Sequence, residues 1–349
     1  MGQCLEGVQR PVPKTPKRGF KVCVCGGSGP IGQPLCMLLA MDPRVWELSV
    51  QDLAHTIPPP EGMRCDLHHL ERKCSVKAYS LLAVQRPVDH LKECLTGCDL
   101  VIACAVWPNN AIINSSDLLK LNGSVAKNVI EACAKYCPEA IVGLVVKPLN
   151  SVVPAMARLY EKAGLDPMKI CGITTLDVVR ANKFVHVASE VPIERISVPV
   201  VGGHSGPSAV PLFSQDPTAA RLSEEQRGEV LQRVQDGGAQ ILSATKGKCG
   251  PNLSQAYACA RFAGAVLSGL SGVRTQECCY VKSSACPGLS YFASKVTFGP
   301  KGVEQVHPIG KVSPQEQAQI DEVKKGLAED IESGLKYAET VEFCKGSGE

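Results

Sequence analysis

Lys21-Val-Cys-Val-Cys25-Gly-Gly-Ser-Gly29-Pro-Ile-Gly32, followed twenty residues later by Asp52, decides the fold of this chain. Its first five residues are a short apolar run that ends in glycine, which reads as a buried strand. Ile31, Leu35, Met37, Leu38 and Leu39 then suggest a helix. Between the two, glycines spaced G-x-x-G-x-x-G let the chain turn tightly and let backbone N–H groups approach a pyrophosphate. The helix start adds a positive dipole. Gly26, Gly29, Ile31 and Gly32 are therefore the candidate cofactor-loop residues. A glycine run alone is weak support. Here Asp52 stands at the end of a second strand, Leu48-Ser-Val-Gln51, where a carboxylate accepts both ribose hydroxyls. The same charge repels a 2′-phosphate, so NAD is favoured over NADP. Pro30 removes one backbone donor from the loop.

Working outward, Leu100–Cys104 and Ala140–Val146 read as further strands, with helical stretches such as Asp117–Tyr136 between them. Strands alternating with helices, each strand apolar throughout, indicate a parallel sheet covered on both faces. The texture changes after about residue 165. A helix carries Asp177 to Phe184, a strand is expected at Arg195–Val201, and helices at Ser223–Thr245 and Leu253–Leu270. Strand-like segments at Cys279–Lys282 and Ser294–Phe298 meet a turn at Gly299-Pro-Lys-Gly302. Ser313-Pro-Gln-Glu316 is a capping box opening a long last helix, whose Ile320, Val323, Leu327, Ile331 and Leu335 form one apolar stripe. The expected architecture is α/β. A flexible tail over 1–20 leads into a Rossmann-type dinucleotide domain over 21–164, then an α/β (α+β) substrate domain over 165–345.

Composition narrows the function classes. Net charge is +3 with both signs dispersed, which gives no basis for nucleic-acid binding. No apolar run approaches the roughly 18–20 residues that cross a membrane. Eighteen cysteines without CxxC pairs at zinc spacing read as reduced, buried thiols in a reducing compartment. Cys278-Cys279 and Cys23-Val-Cys25 could bind metal or sense redox state, but neither has a partner histidine at useful spacing, so no metal is expected. Met1-Gly2-Gln3-Cys4, followed by Arg10, Lys14, Lys17 and Arg18, invites acylation of Gly2 and Cys4. Glu6 replaces the usual Ser/Thr, and a proline-containing tail without an anchor is the competing reading. Membrane contact is thus expected only if those residues are acylated, and cytoplasm is the default address.

Further motifs carry a resemblance. Ile31-Gly-Gln-Pro34, Gly97-Cys-Asp99, Cys137-Pro-Glu-Ala140, Thr174-Thr-Leu-Asp-Val-Val-Arg-Ala-Asn182 and Val200-Val-Gly-Gly-His-Ser-Gly206 occur in one order and spacing. In these, residues 21–343 resemble the malate dehydrogenase branch of the lactate/malate dehydrogenase family. The resemblance implies a homodimer or homotetramer that moves a hydride between NAD and a small 2-hydroxy or 2-oxo acid. It also implies that His204 takes the hydroxyl proton, Asp177 orients His204, and Arg180 forks the substrate's C1 carboxylate. Asn122 joins the cofactor-side candidates.

The chain departs from that family in its substrate loop. Gap-free alignment from Gly97-Cys98-Asp99 to Asn122 puts the family's two loop arginines at Asn109 and Ser115, and no charged residue occurs between Asp99 and Asp117. Losing a charge-assisted partner for a second substrate carboxylate costs on the order of 2–5 kcal/mol. Efficient turnover of malate is therefore not expected. Ile112 and Ile113 would line an apolar pocket instead. The family's Asn-Pro-Val-Asn is here Lys147-Pro-Leu-Asn150. Lys147 either replaces the lost cation or disfavours imidazolium at His204. A third change lies at Gly250-Pro-Asn252. Three readings stay open: an NAD-dependent L-2-hydroxyacid dehydrogenase, a residual malate dehydrogenase with Lys147 standing in for the loop cations, and a non-catalytic NAD-binding scaffold or sensor.

Overall fold

The computed structural model describes residues 19–82, 87–105, 114–204 and 206–343. The first half is laid down as β1 (Phe20–Cys25), α1 (Gly32–Met41), β2 (Val45–Leu53), α2 (Pro60–Leu67) and β3 (Ser75–Leu81). Short helices α3 (Pro87–His90) and α4 (Lys92–Leu95) lead to β4 (Leu100–Ala103), α5 (Ser115–Tyr136), β5 (Ile141–Leu144), α6 (Leu149–Lys162) and β6 (Ile170–Gly172). Their strands lie in the order β3-β2-β1-β4-β5-β6, all parallel. This is the doubly wound order whose reversal point, between β1 and β4, forms a ligand crevice at the strand C-termini.

Side-chain alternation explains why the sheet is covered twice. Cys23, Cys25, Val101, Ala103 and Val142 belong to one buried cluster, with α5 and α6. Val22, Val24, Leu100, Ile102 and Ile141 belong to the other, with α1 and α9 (Asn252–Leu270). A period of two splits an unbroken apolar run between opposite faces. The described cysteines are free thiols, mostly buried. Cys23 and Cys25 lie 3.9 Å apart. Hydrogen bonding to Cys25, Cys94 and Cys98, together with burial, raises the Cys23 thiol well above its ordinary range. Among the described residues no three His, Cys, Asp or Glu side chains form a metal-holding group, and no helix is long and apolar enough to cross a membrane.

The second half adds α7 (Thr175–Ser189), β7 (Val200–Gly202), β8 (Ala209–Pro211), α8 (Glu224–Ala244), α9, β9 (Thr275–Lys282), β10 (Tyr291–Gly299), β11 (Gly302–Val306) and α10 (Pro314–Thr340). Its strands extend the same sheet in antiparallel fashion through β6·β9, β9·β10, β10·β7 and β7·β8. By strand pairing the parallel part runs through Gly172. The strand expected at Arg195–Val201 is shorter, beginning at Val200. Upstream of it the backbone donors are taken by side chains: Ser197 N donates to Asp216 Oδ2 at 2.8 Å and Val198 N to Asn182 Oδ1 at 2.9 Å. Pro199 has no donor to offer a ladder. The Ser313 capping box forms as expected, with Ser313 Oγ and Glu316 satisfying each other's backbone donors. α10 packs along α6 and against β7 and β8, which brings the last helix up to the loop that follows β7.

Candidate active site

Two glycines of the loop stand where a side chain would collide with backbone. Gly26 has φ +91°, and a Cβ there would lie 2.6 Å from Ala105 N. A Cβ on Gly32 would collide with the Gly26 carbonyl oxygen. Gly26 N and Gly27 N both donate to Gln51 O, at 2.9 and 3.0 Å, folding the loop over the end of β2. Ile31 precedes α1 without a side-chain cap, and the first turn carries no acid to repel an anion; Gln33 N and Leu35 N donate to Gly29 O and Ile31 O, and Pro34 has no N–H. Asp52 receives Ser28 N at 3.0 Å and Leu53 N at 2.8 Å. Burial raises its pKa and these backbone donors oppose the rise. A turn with glycine where no Cβ fits, a helix start without a side-chain cap and a tethered carboxylate together fit a dinucleotide. Gly32→Ala should weaken NADH binding by about a hundredfold, roughly 2.7 kcal/mol, in a fluorescence titration. Wild-type affinity in that variant would show that the loop does not hold the pyrophosphate.

The chemistry-bearing side chains meet where α7 passes the exit of β7. Asp177 and Arg180 are three apart on α7 and so share a face. Asp177 Oδ2 lies 2.7 Å from His204 Nδ1, and its Oδ1 lies 3.6 Å from Arg180 Nη1. Asp177 is 1% exposed and Arg180 9%. Two buried atoms of this group, Asp177 Oδ1 and Arg180 Nη2, have no hydrogen-bond partner among the described residues. Buried polar groups are normally satisfied, so an unmatched guanidinium nitrogen marks where an acceptor belongs. Burial lowers the Arg180 pKa and Asp177 raises it, yet a guanidinium remains charged at any working pH. Gly237, in the middle of α8, lies against this arginine: a Cβ there would stand 2.8 Å from Arg180 Nε.

Lys147 follows β5 and precedes cis Pro148. Its carbonyl oxygen accepts Asn122 Nδ2 at 2.8 Å, so buried Asn122 fixes the turn on which the lysine stands. The Lys147 side chain is open to solvent, yet the protein around it lowers its pKa. Arg180 lowers it further, and Asp177 opposes both. The ammonium therefore shares the field of the catalytic cluster. Ser115 takes the exposed first turn of α5, which Asn114 caps by accepting Asp117 N at 2.8 Å. It makes no hydrogen bond to Asp177, Arg180 or His204 among the described residues. Asn109, Ile112, Ile113 and the Gly2/Cys4 terminus lie outside the described residues.

Three neighbours of the cluster escaped the sequence reading. Asn150, inside the quoted Lys147-Pro-Leu-Asn150, accepts His204 N at 2.9 Å. Asp330 receives Asn150 Nδ2 at 3.0 Å. Gly237 had a usable signal, because a glycine pair inside a helical pattern costs stability and calls for a packing reason. Asp330 had none, being one acid among many on the polar side of α10.

Residues 20–172 match the NAD binding domain of lactate/malate dehydrogenase, and residues 174–338 match its alpha/beta C-terminal domain. The chain belongs to the lactate/malate dehydrogenase family. It is 41% identical over 320 residues to "Malate dehydrogenase 1, mitochondrial" of Arabidopsis thaliana, covering 91% of each chain. It is 36% identical over 349 residues to "Malate dehydrogenase, mitochondrial" of Bos taurus, covering 97% of this chain and 99% of that one. In fold it is similar to the lactate dehydrogenase of Cryptosporidium parvum complexed with lactic acid and nicotinamide adenine dinucleotide. That match has a TM-score of 0.77 at 23% identity and covers 93% of this chain and 99% of that one. The apo malate dehydrogenase of Picrophilus torridus superposes at 0.78 with 20% identity, over 92% and 97% of the two chains. With both family domains present and Asp177, Arg180 and His204 gathered, the chain is an NAD-dependent dehydrogenase of the malate dehydrogenase type.

Proposed function

We propose that the protein is an NAD-dependent L-2-hydroxyacid dehydrogenase whose preferred substrate has a neutral, apolar side chain, and that it is poor on malate and oxaloacetate. The observation that carries this reading is a complete Asp177–Arg180–His204 set with Arg180 Nη2 buried and unmatched. Uncharged Ser115 stands exposed on the helix that follows the loop.

His204 uses Nδ1 on Asp177, which leaves Nε2 as the ring atom that exchanges the substrate's proton. Asp177 holds the ring in one tautomer and stabilises the imidazolium as the hydroxyl proton arrives. Arg180 is placed to pair with the C1 carboxylate through two parallel N–H donors, which orients the C2 centre beside His204. Gly26, Gly29, Ile31, Gly32 and Asp52 would hold NAD, whose nicotinamide supplies the hydride acceptor for oxidation. For malate, Arg180 answers one carboxylate and the second calls for another cation. Lys147 is a cation in the same neighbourhood; it stands open to solvent, and the surrounding protein and the like charge of Arg180 both disfavour its charged form.

The test is NADH oxidation against oxaloacetate, pyruvate, branched 2-oxo acids, phenylpyruvate and hydroxyphenylpyruvate. Neutral-side-chain acids should exceed oxaloacetate in kcat/KM by about thirtyfold or more, the lower edge of a lost charge pair. Oxaloacetate as the best substrate would overturn the specificity. NADH binding without turnover of any acid would favour the scaffold reading, with Lys147 as the disabling change.

A further inference from the structure

The loop that carries His204 is tied to the last helix by a two-link hydrogen-bond chain whose polarity is fixed. His204 N can only donate, so the Asn150 atom 2.9 Å away is its Oδ1. The Asn150 Nδ2 group must then donate outward, and Asp330 Oδ2 receives it at 3.0 Å. Tyr280 hydroxyl reaches the Asn150 carbonyl at 3.4 Å, steadying its backbone. Close approach is made possible by Gly203, where a Cβ would fall 2.6 Å from Leu327 Cδ2 and 2.8 Å from Asn150 Oδ1. Leu327 and Asp330 are three apart on α10. One seats the loop by packing and the other by polarity.

We propose that Asp330, acting through Asn150, is a positioning residue that sets where His204 stands relative to Asp177 and the bound acid. Neither Asp330 nor Asn150 needs to touch substrate for this. A carboxylate accepts without needing to donate, which commits Asn150 to a single amide orientation. An apolar residue at 330 would leave Asn150 free to turn its Nδ2 toward His204 N, where two donors would face each other. Asp330 is half-buried at the rim of a groove of about 540 Å³ between α8 and α10, also bordered by Gln235 and Glu322. Substitution there meets solvent on one side, so the helix can keep its packing while the polar link changes.

This inference rests on the dehydrogenase reading for its kinetic test and has a second readout that does not. With the preferred 2-oxo acid, Asp330→Asn should stay within about threefold of wild-type kcat, because an amide oxygen still accepts Asn150 Nδ2. Asp330→Leu should lose about tenfold in kcat with the KM for NADH unchanged. Asn150→Asp alone sets two carboxylates against each other and should lose at least as much. Exchanging the pair, Asn150→Asp with Asp330→Asn, restores a donor opposite an acceptor and should recover most of that loss. The backbone amide resonance of His204, followed by NMR with NADH bound, should move in Asp330→Leu and Asn150→Asp and return in the exchanged pair. Full kcat in Asp330→Leu overturns the proposal. So does an exchanged pair no better than Asn150→Asp, or an amide resonance that does not move. If wild type turns over no acid, the dehydrogenase reading fails, and the His204 resonance alone decides whether Asp330 positions the loop.

Discussion

His204→Asn should reduce turnover of the preferred 2-oxo acid by about a thousandfold, within the range typical of a lost general acid or base, while NADH binds as in wild type. Asparagine keeps a polar side chain of similar reach but cannot carry a proton between substrate and solvent. The cofactor loop, from Gly26 to Gly32 with Asp52, belongs to the first half of the chain, so the variant separates chemistry from binding. Asp177→Asn tests the second link. The 2.7 Å contact from Asp177 to His204 Nδ1 exists in one tautomer only when the acceptor is a carboxylate. An amide can present N–H to the ring, turning the tautomer over and taking Nε2 out of service. Its loss should reach about a hundredfold or more in kcat. NADH oxidation persisting in His204→Asn would move the proton-transfer role to another group, with Lys147 the first to examine.

How far the sequence led can be judged from particular residues. The first βαβ unit was legible because each requirement leaves a local mark: an apolar run, glycines where no Cβ fits, and an acid at the strand end. Gly26 and Gly32 prove to be positions where a side chain meets backbone atoms. Asp177, Arg180 and His204 were legible only through the family motif, since no local physics joins residues 27 apart. The structure then supplies what spacing lacks, a 2.7 Å contact in a buried site. Helix α6 was overlooked because Pro154 within Leu149–Lys162 is a breaker signal. β6 and β8, at three residues each, are too short to show a period. The Asn150–Asp330 link spans 180 residues, and its partners are ordinary polar residues in their own neighbourhoods.

Arg180→Leu should raise KM for the 2-oxo acid and lower kcat/KM by about thirtyfold to several thousandfold, the 2–5 kcal/mol of a truncated buried charge pair. Two costs combine in that range. The substrate carboxylate loses its cation, and Asp177 loses the guanidinium 3.6 Å from its Oδ1. The second cost falls on the Asp177–His204 pair, so kcat should fall as well as KM rise. An unchanged kcat would assign the whole effect to carboxylate binding. Arg180→Lys should rescue only part of it, because an ammonium restores charge without the two-donor fork. The pocket for the native side chain is shaped from the other side by Gly237, whose missing Cβ leaves room for Arg180 Nε. Arg180 is thus held by shape on α8 and by charge on α7.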